Sequence, residues 1–251
     1  MVGTEHRRTA LVTGASAGIG REFARRLAAD GHRVIAVARD PGRLGALRNE
    51  LGPGHICLEA DLTTADGRQR VLDVLGREKV HLLVNNAGTA VAGPFTGVPL
   101  DDALATTRLN CDALLVLAHR FLTEAEPGDA LLNVSSTLAF APMPDLAVYS
   151  ATKAFVTALS EALWYEHKDR GVYVLGLCPG VTATESRPQT GDDTPAALVQ
   201  TPGQVVTAAL TALRNRSRPT VASGWKNALF VTTARVLPRR ARLALLAPAG
   251  H

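Results

Sequence analysis

Short apolar, β-branched runs alternate with longer helical patterns through most of this chain, and that alternation restricts the fold more than any other feature. Candidate strands are Ala10–Thr13, Val34–Ala38, His55–Glu59, Leu82–Val84, Ala130–Val134, Val172–Leu177 and Thr220–Ala222. Between them lie amphipathic stretches such as Ile19–Asp30, where Ile19, Phe23 and Leu27 recur at i, i+4 and i+8. Gly31 stands where a C′ glycine would end that helix. Repeated βα units of this length predict an α/β fold: a Rossmann-type, doubly wound parallel sheet with helices on both faces. No internal repeat, low-complexity tract or linker interrupts the pattern, so residues 1–251 are read as a single domain.

Two segments break the rhythm. Thr182–Pro202 carries Pro188, Gly191, Asp192, Asp193, Pro195 and Pro202 with little apolar periodicity. It reads as a long mobile loop between a strand and a helix, of the kind that often closes over substrates. The tail from Trp225 to His251 mixes apolar residues with Arg235, Arg239, Arg240 and Arg242. Covering a cleft or a neighbouring subunit is favoured for it over contact with anionic lipid.

The three cysteines, Cys57, Cys111 and Cys178, are far apart and show no C-x-x-C spacing, which argues against a disulfide framework or a zinc site. Cys111 and Cys178 read as small buried hydrophobes. The histidines lack metal-ligand spacing, so no metal is expected; His167 reads as a cation favourable to a helix C-terminus. A net charge of +4 comes from scattered arginines, and aromatics are only 4% of the chain, too few for base-stacking platforms, so nucleic acid is not an expected partner. Neither a secretory h-region nor a run of roughly 20 apolar residues is present, and the expected address is the cytoplasm.

The first strand ends in T-G-A-S-A-G-I-G at 13–20, and a helix begins inside that run. Glycines at 14, 18 and 20 permit a tight turn and let backbone approach a pyrophosphate, where exposed N–H groups and the helix dipole favour negative charge. The spacing is G-x-x-x-G-x-G rather than G-x-G-x-x-G, a moderate signal by itself. At the end of the second strand an acidic residue would select NAD, whereas the run Val34–Ala38 is followed by Arg39, which suits a 2′-phosphate. Asp40 competes for that role, but it precedes Pro41 and reads as a helix N-cap followed by an N1 proline. NADP(H) is therefore favoured over NAD(H).

Tyr149 and Lys153 in Y-S-A-T-K share one helix face at i, i+4. A neighbouring ammonium is expected to lower the tyrosine pKa and make it a usable acid/base near neutrality. Such a pair is common by chance, but here N-V-S-S at 133–136 ends the fifth strand, N-N-A-G at 85–88 ends the fourth, and Asn110 lies within a helical pattern.

Together these residues resemble the short-chain dehydrogenase/reductase family in its NADP-preferring form, over roughly positions 9–185. The resemblance implies a catalytic set of Asn110, Ser136, Tyr149 and Lys153. Tyr149 would be the acid/base, Ser136 the group that orients the carbonyl, and Lys153 the ribose ligand. Asn110 would hold a water in a proton relay. It implies cofactor contacts from Gly14, Ser16, Gly18, Ile19 and Gly20, from Arg39, Asp61 and Leu62, and from Asn85, Asn86, Ala87 and Gly88. Tyr149 and Lys153 would join them, with Pro179, Gly180, Thr182 and Thr184 along the nicotinamide. Many NADP-using members carry a second basic residue where this chain has Ala17, so Arg39 is the main visible phosphate partner.

The implied activity is reduction of a small-molecule carbonyl, or oxidation of the matching secondary alcohol, by one dinucleotide-binding and catalytic domain. Cofactor-assisted epimerisation or dehydration, and a catalytically silent NADPH sensor, are the alternatives. The complete Asn–Ser–Tyr–Lys set disfavours the sensor. Phe140, Met143, Leu146 and Trp164 are candidates for substrate contact, with core or interface packing favoured for Trp164. A homodimer or homotetramer is expected through helices near 101–122 and 149–169; the second bears Phe155, Val156, Leu159 and Leu163, which could equally pack only on their own sheet.

Overall fold

The computed structural model describes residues 8–184 and 195–246. Seven parallel strands form one sheet in the order β3-β2-β1-β4-β5-β6-β7. They are β1 (Thr9–Thr13), β2 (Arg33–Ala38), β3 (Ile56–Glu59), β4 (Leu82–Asn85), β5 (Ala130–Val134), β6 (Tyr173–Cys178) and β7 (Thr220–Ala222). Strands covered on both faces read as unbroken apolar runs, and for that reason each lies within a residue or two of its sequence-based position. Along β1, Ala10 and Val12 point to one layer of core and Leu11 to the other.

Helices cover both faces. On one side α1 (Gly18–Ala29), α2 (Pro41–Leu51) and α7 (Pro202–Asn215) contribute Phe23, Leu27, Leu47, Val205 and Leu210. On the other, α3 (Ala65–Arg77) and α5 (Leu114–Glu124) contribute Val71, Leu75, Leu117 and Phe121. Trp164 of α6 (Ala147–His167) packs against both layers, as its core reading anticipated.

Several expectations need correcting. The helix near 101–122 is three pieces: α4 (Leu100–Thr107), a π-helical segment Arg108–Ala113, and α5. The 182–202 loop ends earlier than read, because Thr201 caps α7 in a reciprocal capping box with Gln204 and Pro202 is its N1 residue. Its middle, residues 185–194, lies outside the described residues. Thr182 and Gln200 bridge the two flanks. The tail is two helices, α8 (Trp225–Val236) and α9 (Arg239–Leu246), and its end also lies outside the described residues. At the end of α6, burial and the Arg170 charge push the His167 pKa down, which weakens the favourable cation expected there. Val156 and Leu163 pack in the core rather than on a free face.

Candidate active site and cofactor crevice

β1 pairs with β2 on one side and β4 on the other, so the chain's direction of travel reverses at the C-terminal end of β1. Thr13 closes this switch point: its hydroxyl donates to Val84 O at 3.3 Å and accepts from the N–H groups of Asn86 and Ala87 at 3.0 Å each. The Asn86 amide donates to Thr13 O at 2.9 Å. Gly14 and Gly18 take positive φ, 64° and 52°, as the turn requires. A Cβ on Gly20 would overlap the Gly14 carbonyl and the Asn86 amide. Ala17 offers no side-chain cap to α1, which leaves first-turn N–H groups facing the crevice for an anion. These features fit a dinucleotide pyrophosphate. Gly20→Ala is expected to destabilise the protein by about 1–3 kcal/mol, the usual cost of overpacking. Urea unfolding checks this; an unchanged midpoint would show that the turn relaxes freely.

At the end of β2, exposed Arg39 follows buried Ala38. Asp40 caps α2, its Oδ1 accepting from Arg43 N at 3.0 Å and its Oδ2 lying 3.4 Å from Arg43 Nε. Asp61 sits beside Arg39 after β3, its Oδ1 accepting from the Thr63 N–H and hydroxyl at 2.9 and 2.7 Å. Burial pushes the Asp61 carboxyl up, but the Thr63 hydrogen bonds and the Arg39 charge outweigh it and hold the pKa below its usual value. Leu62 is buried next to it.

The β5 end and α6 assemble the Ser–Tyr–Lys group. Ser135 is pinned to α6 through Lys153 O at 2.8 Å and the Thr157 hydroxyl at 2.6 Å. Ser136, one residue on, caps a short 3-10 turn (Thr137–Ala139), and its hydroxyl faces that of Tyr149. Lys153 is buried, with Nζ donating to Val134 O at 2.8 Å and standing 5.6 Å from the Tyr149 ring centre. Burial lowers the Lys153 pKa to about 8. The Tyr149 pKa moves opposite to the sequence-based expectation: burial raises it, and the Ser136 hydrogen bond only partly opposes that.

Asn110 lies buried in the π-helical segment, a common local form at functional sites. Its amide donates to Thr89 O and the Thr152 hydroxyl and accepts from Thr89 N, at 2.9, 3.0 and 2.9 Å. A Cβ on Gly88 would fall between Asn110 Oδ1 at 3.1 Å and Lys153 Nζ at 3.4 Å, so this glycine keeps open the space joining the two side chains.

Residues 8–195 match the family model described as short chain dehydrogenase. The chain is a short-chain dehydrogenase. It is 35% identical over 181 residues to serine 3-dehydrogenase of Agrobacterium fabrum, covering 70% of this chain and 73% of that one. A short-chain dehydrogenase of Sphingobium yanoikuyae, solved in complex with NADPH, aligns with TM-score 0.79 and 34% identity over 87% and 88% of the two chains. An alcohol dehydrogenase of Comamonas testosteroni, specific for bulky-bulky ketones, aligns with TM-score 0.77 and 29% identity over 97% and 96%. The family's members here include dehydrogenases and reductases acting on alcohol and carbonyl groups, and NADP-bound structures are among them.

In this short-chain dehydrogenase the β6 end continues the crevice. Thr137 N donates to Pro179 O at 2.9 Å, and the Thr182 hydroxyl donates to Gly180 O at 3.0 Å. Thr184 packs over the glycine turn, close enough that a Cβ on Gly18 would touch its methyl at 2.9 Å. Cys178 is buried and its thiol is pushed up to about 12, and burial also raises Cys111, so both behave as apolar packing groups. Ser16 and Ile19 line the turn half-buried.

Of the N-N-A-G residues, Asn86, Ala87 and Gly88 border the crevice. Asn85 is turned inward, donating to Asn133 Oδ1 at 3.1 Å and Leu114 O at 3.3 Å, and Asn133 continues to Ser160 at 3.0 Å. Sequence reasoning missed Thr13, Thr89, Ser135 and Thr152, whose spacing carries no signal of their long-range partners. It also missed Asn227 of α8. That side chain occupies the space a Cβ of Gly180 would fill, held by Gln200 and Ser223 O at 2.9 and 2.8 Å. The tail does reach the Phe140 segment: Arg242 donates to Phe140 O at 3.1 Å, and Arg235 lies 4.7 Å from the Phe140 ring centre.

Proposed function

We propose that this chain reduces a ketone or aldehyde with NADPH, or oxidises the matching alcohol with NADP, and that Tyr149 is its proton donor. The observation that carries this reading is the convergence of Ser136, Tyr149 and Lys153 at the C-terminal edge of the sheet, beside the glycine turn. When bound, the nicotinamide supplies the hydride. The Ser136 hydroxyl polarises the substrate oxygen, and the Tyr149 hydroxyl, kept protonated by burial, donates to that oxygen as negative charge develops. Lys153 holds ribose hydroxyls with its buried ammonium. Asn110 fixes the Thr89 backbone after β4, and Gly88 leaves room between Asn110 and Lys153 for the water of a proton relay. Gly14, Ser16, Gly18, Ile19 and Gly20 hold the pyrophosphate, Asp61 and Leu62 the adenine, and Pro179, Gly180, Thr182 and Thr184 the nicotinamide edge. Similarity to a ketone-specific enzyme over nearly the whole chain supports bulky ketones in a substrate panel. Loss of NADPH absorbance with at least one member of such a panel is the expected result; saturable NADPH binding with no turnover on any would favour the sensor.

NADP(H) is preferred because Asp40 is engaged as the α2 cap and exposed Arg39 stands where it can meet a 2′-phosphate. Arg39→Asp is expected to reverse the preference. Hydrogen bonds to charged groups contribute about 1.5–3 kcal/mol, and salt screening at an exposed site pulls this to the lower end, about tenfold. The test is kcat/KM for both cofactors at fixed ionic strength. A wild type that already prefers NADH would contradict the assignment. Leu104, Leu115 and Phe155, exposed on α4, α5 and α6, support assembly into a homodimer or homotetramer through these helices.

A further inference from the structure

Helix α8 is apolar on two opposite faces. Val231 and Ala234 are buried against the body of the protein and seat the helix there. On the other side Trp225, Leu229 and Val236 are 72%, 60% and 78% exposed. At 3.6 residues per turn these three fall within about 40° of one another, forming a single outward stripe. Such a stripe costs solubility unless something covers it.

Charge says what covers it. From Thr194 to His251 the sequence holds eight Lys and Arg residues and no Asp or Glu. Arg235 is paired with Glu161 of α6, at 3.0 Å. Lys226 at the start of the stripe, and Arg239 and Arg240 just beyond its end, are exposed and form no ion pair among the described residues. A second copy meeting this face by twofold symmetry would set these cations against their own images, with no carboxylate in the segment to pair them. An anionic surface meets no such repulsion.

We propose that the outward face of α8, with the first turn of α9, docks this protein on an anionic lipid bilayer, Trp225, Leu229 and Val236 entering the interface and Lys226, Arg239 and Arg240 facing lipid phosphates. The helix lies in the interface plane; its length and composition do not let it span. Lys226 also donates to Ala197 O at 3.0 Å, and Leu198 beside it is 47% exposed.

The test is co-sedimentation of the full chain with vesicles of phosphatidylcholine alone or mixed with phosphatidylglycerol. Binding to the anionic vesicles is expected to be roughly ten- to a hundredfold tighter, with Lys226, Arg239 and Arg240 near the surface, and to weaken with salt. Trp225 fluorescence should shift to the blue on binding, and the Trp225→Phe variant should lose that shift. Leu229→Asp with Val236→Asp should abolish sedimentation while leaving the melting temperature and NADPH binding unchanged. Arg239→Glu with Arg240→Glu should remove the anionic preference. No sedimentation with anionic vesicles at low salt overturns the proposal, as does sedimentation that the aspartate variants retain. Concentration-dependent self-association that Leu229→Asp abolishes would overturn it too, by assigning the stripe to a second copy.

Discussion

Tyr149→Phe is expected to lower turnover by roughly 10²–10⁴-fold, the usual worth of a positioned general acid. The ring is retained, so packing at the head of α6 is preserved, but the hydroxyl that meets Ser136 and the substrate oxygen is gone. Because burial raises the Tyr149 pKa, the group enters the reaction protonated, which suits donation during reduction. Alcohol oxidation needs the opposite, a phenolate, which a nearby cation and the Ser136 hydroxyl favour against burial. Reduction should therefore tolerate neutral pH while oxidation climbs as pH rises. NADPH affinity of the variant, from protein fluorescence titration, should stay within a few-fold of the wild type. Retention of most of the turnover would remove Tyr149 from the mechanism.

Lys153→Met is expected to abolish most activity and to change how stability depends on pH. Lys153 is buried, and its folded pKa falls from 10.5 to about 8. Between those values the unfolded chain binds more protons at this site than the folded one, so stability rises with pH across the window. Below pH 8 the full penalty of a buried ammonium is present. The shift corresponds to about 3 kcal/mol, so the wild type should gain that much over the Lys153→Met variant between pH 7 and 10.5. Urea unfolding of both proteins without cofactor measures it. A pH-independent difference would mean that Lys153 is solvated in the folded state.

The strands and the glycine turn were legible because each depends on local pattern: central parallel strands are continuous apolar runs, and a phosphate turn needs glycines at close spacing. Asp40 was legible as a cap for the same reason, since Pro41 follows it. What escaped reading depends on contacts far apart in the chain. The π-helical turn around Asn110 leaves no mark in composition, and its Thr89 and Thr152 partners come from other segments. Spacing placed Lys153 beside Tyr149 but could not weigh burial against the ammonium, and burial decides the direction of the tyrosine shift. Asn227 over Gly180 joins the tail to the crevice, and nothing near either residue announces it.

The most direct test of the account uses NADPH carrying deuterium at both C4 positions. Wild type and Tyr149→Phe are each incubated with the ketone panel, and the alcohols are read by mass spectrometry. The expected result is a single deuterium on the carbinol carbon with the wild type and product near background with the variant. Equal labelled product from both proteins, or NADPH consumption by the wild type that leaves no deuterium on carbon, would contradict hydride transfer with Tyr149 as the proton donor.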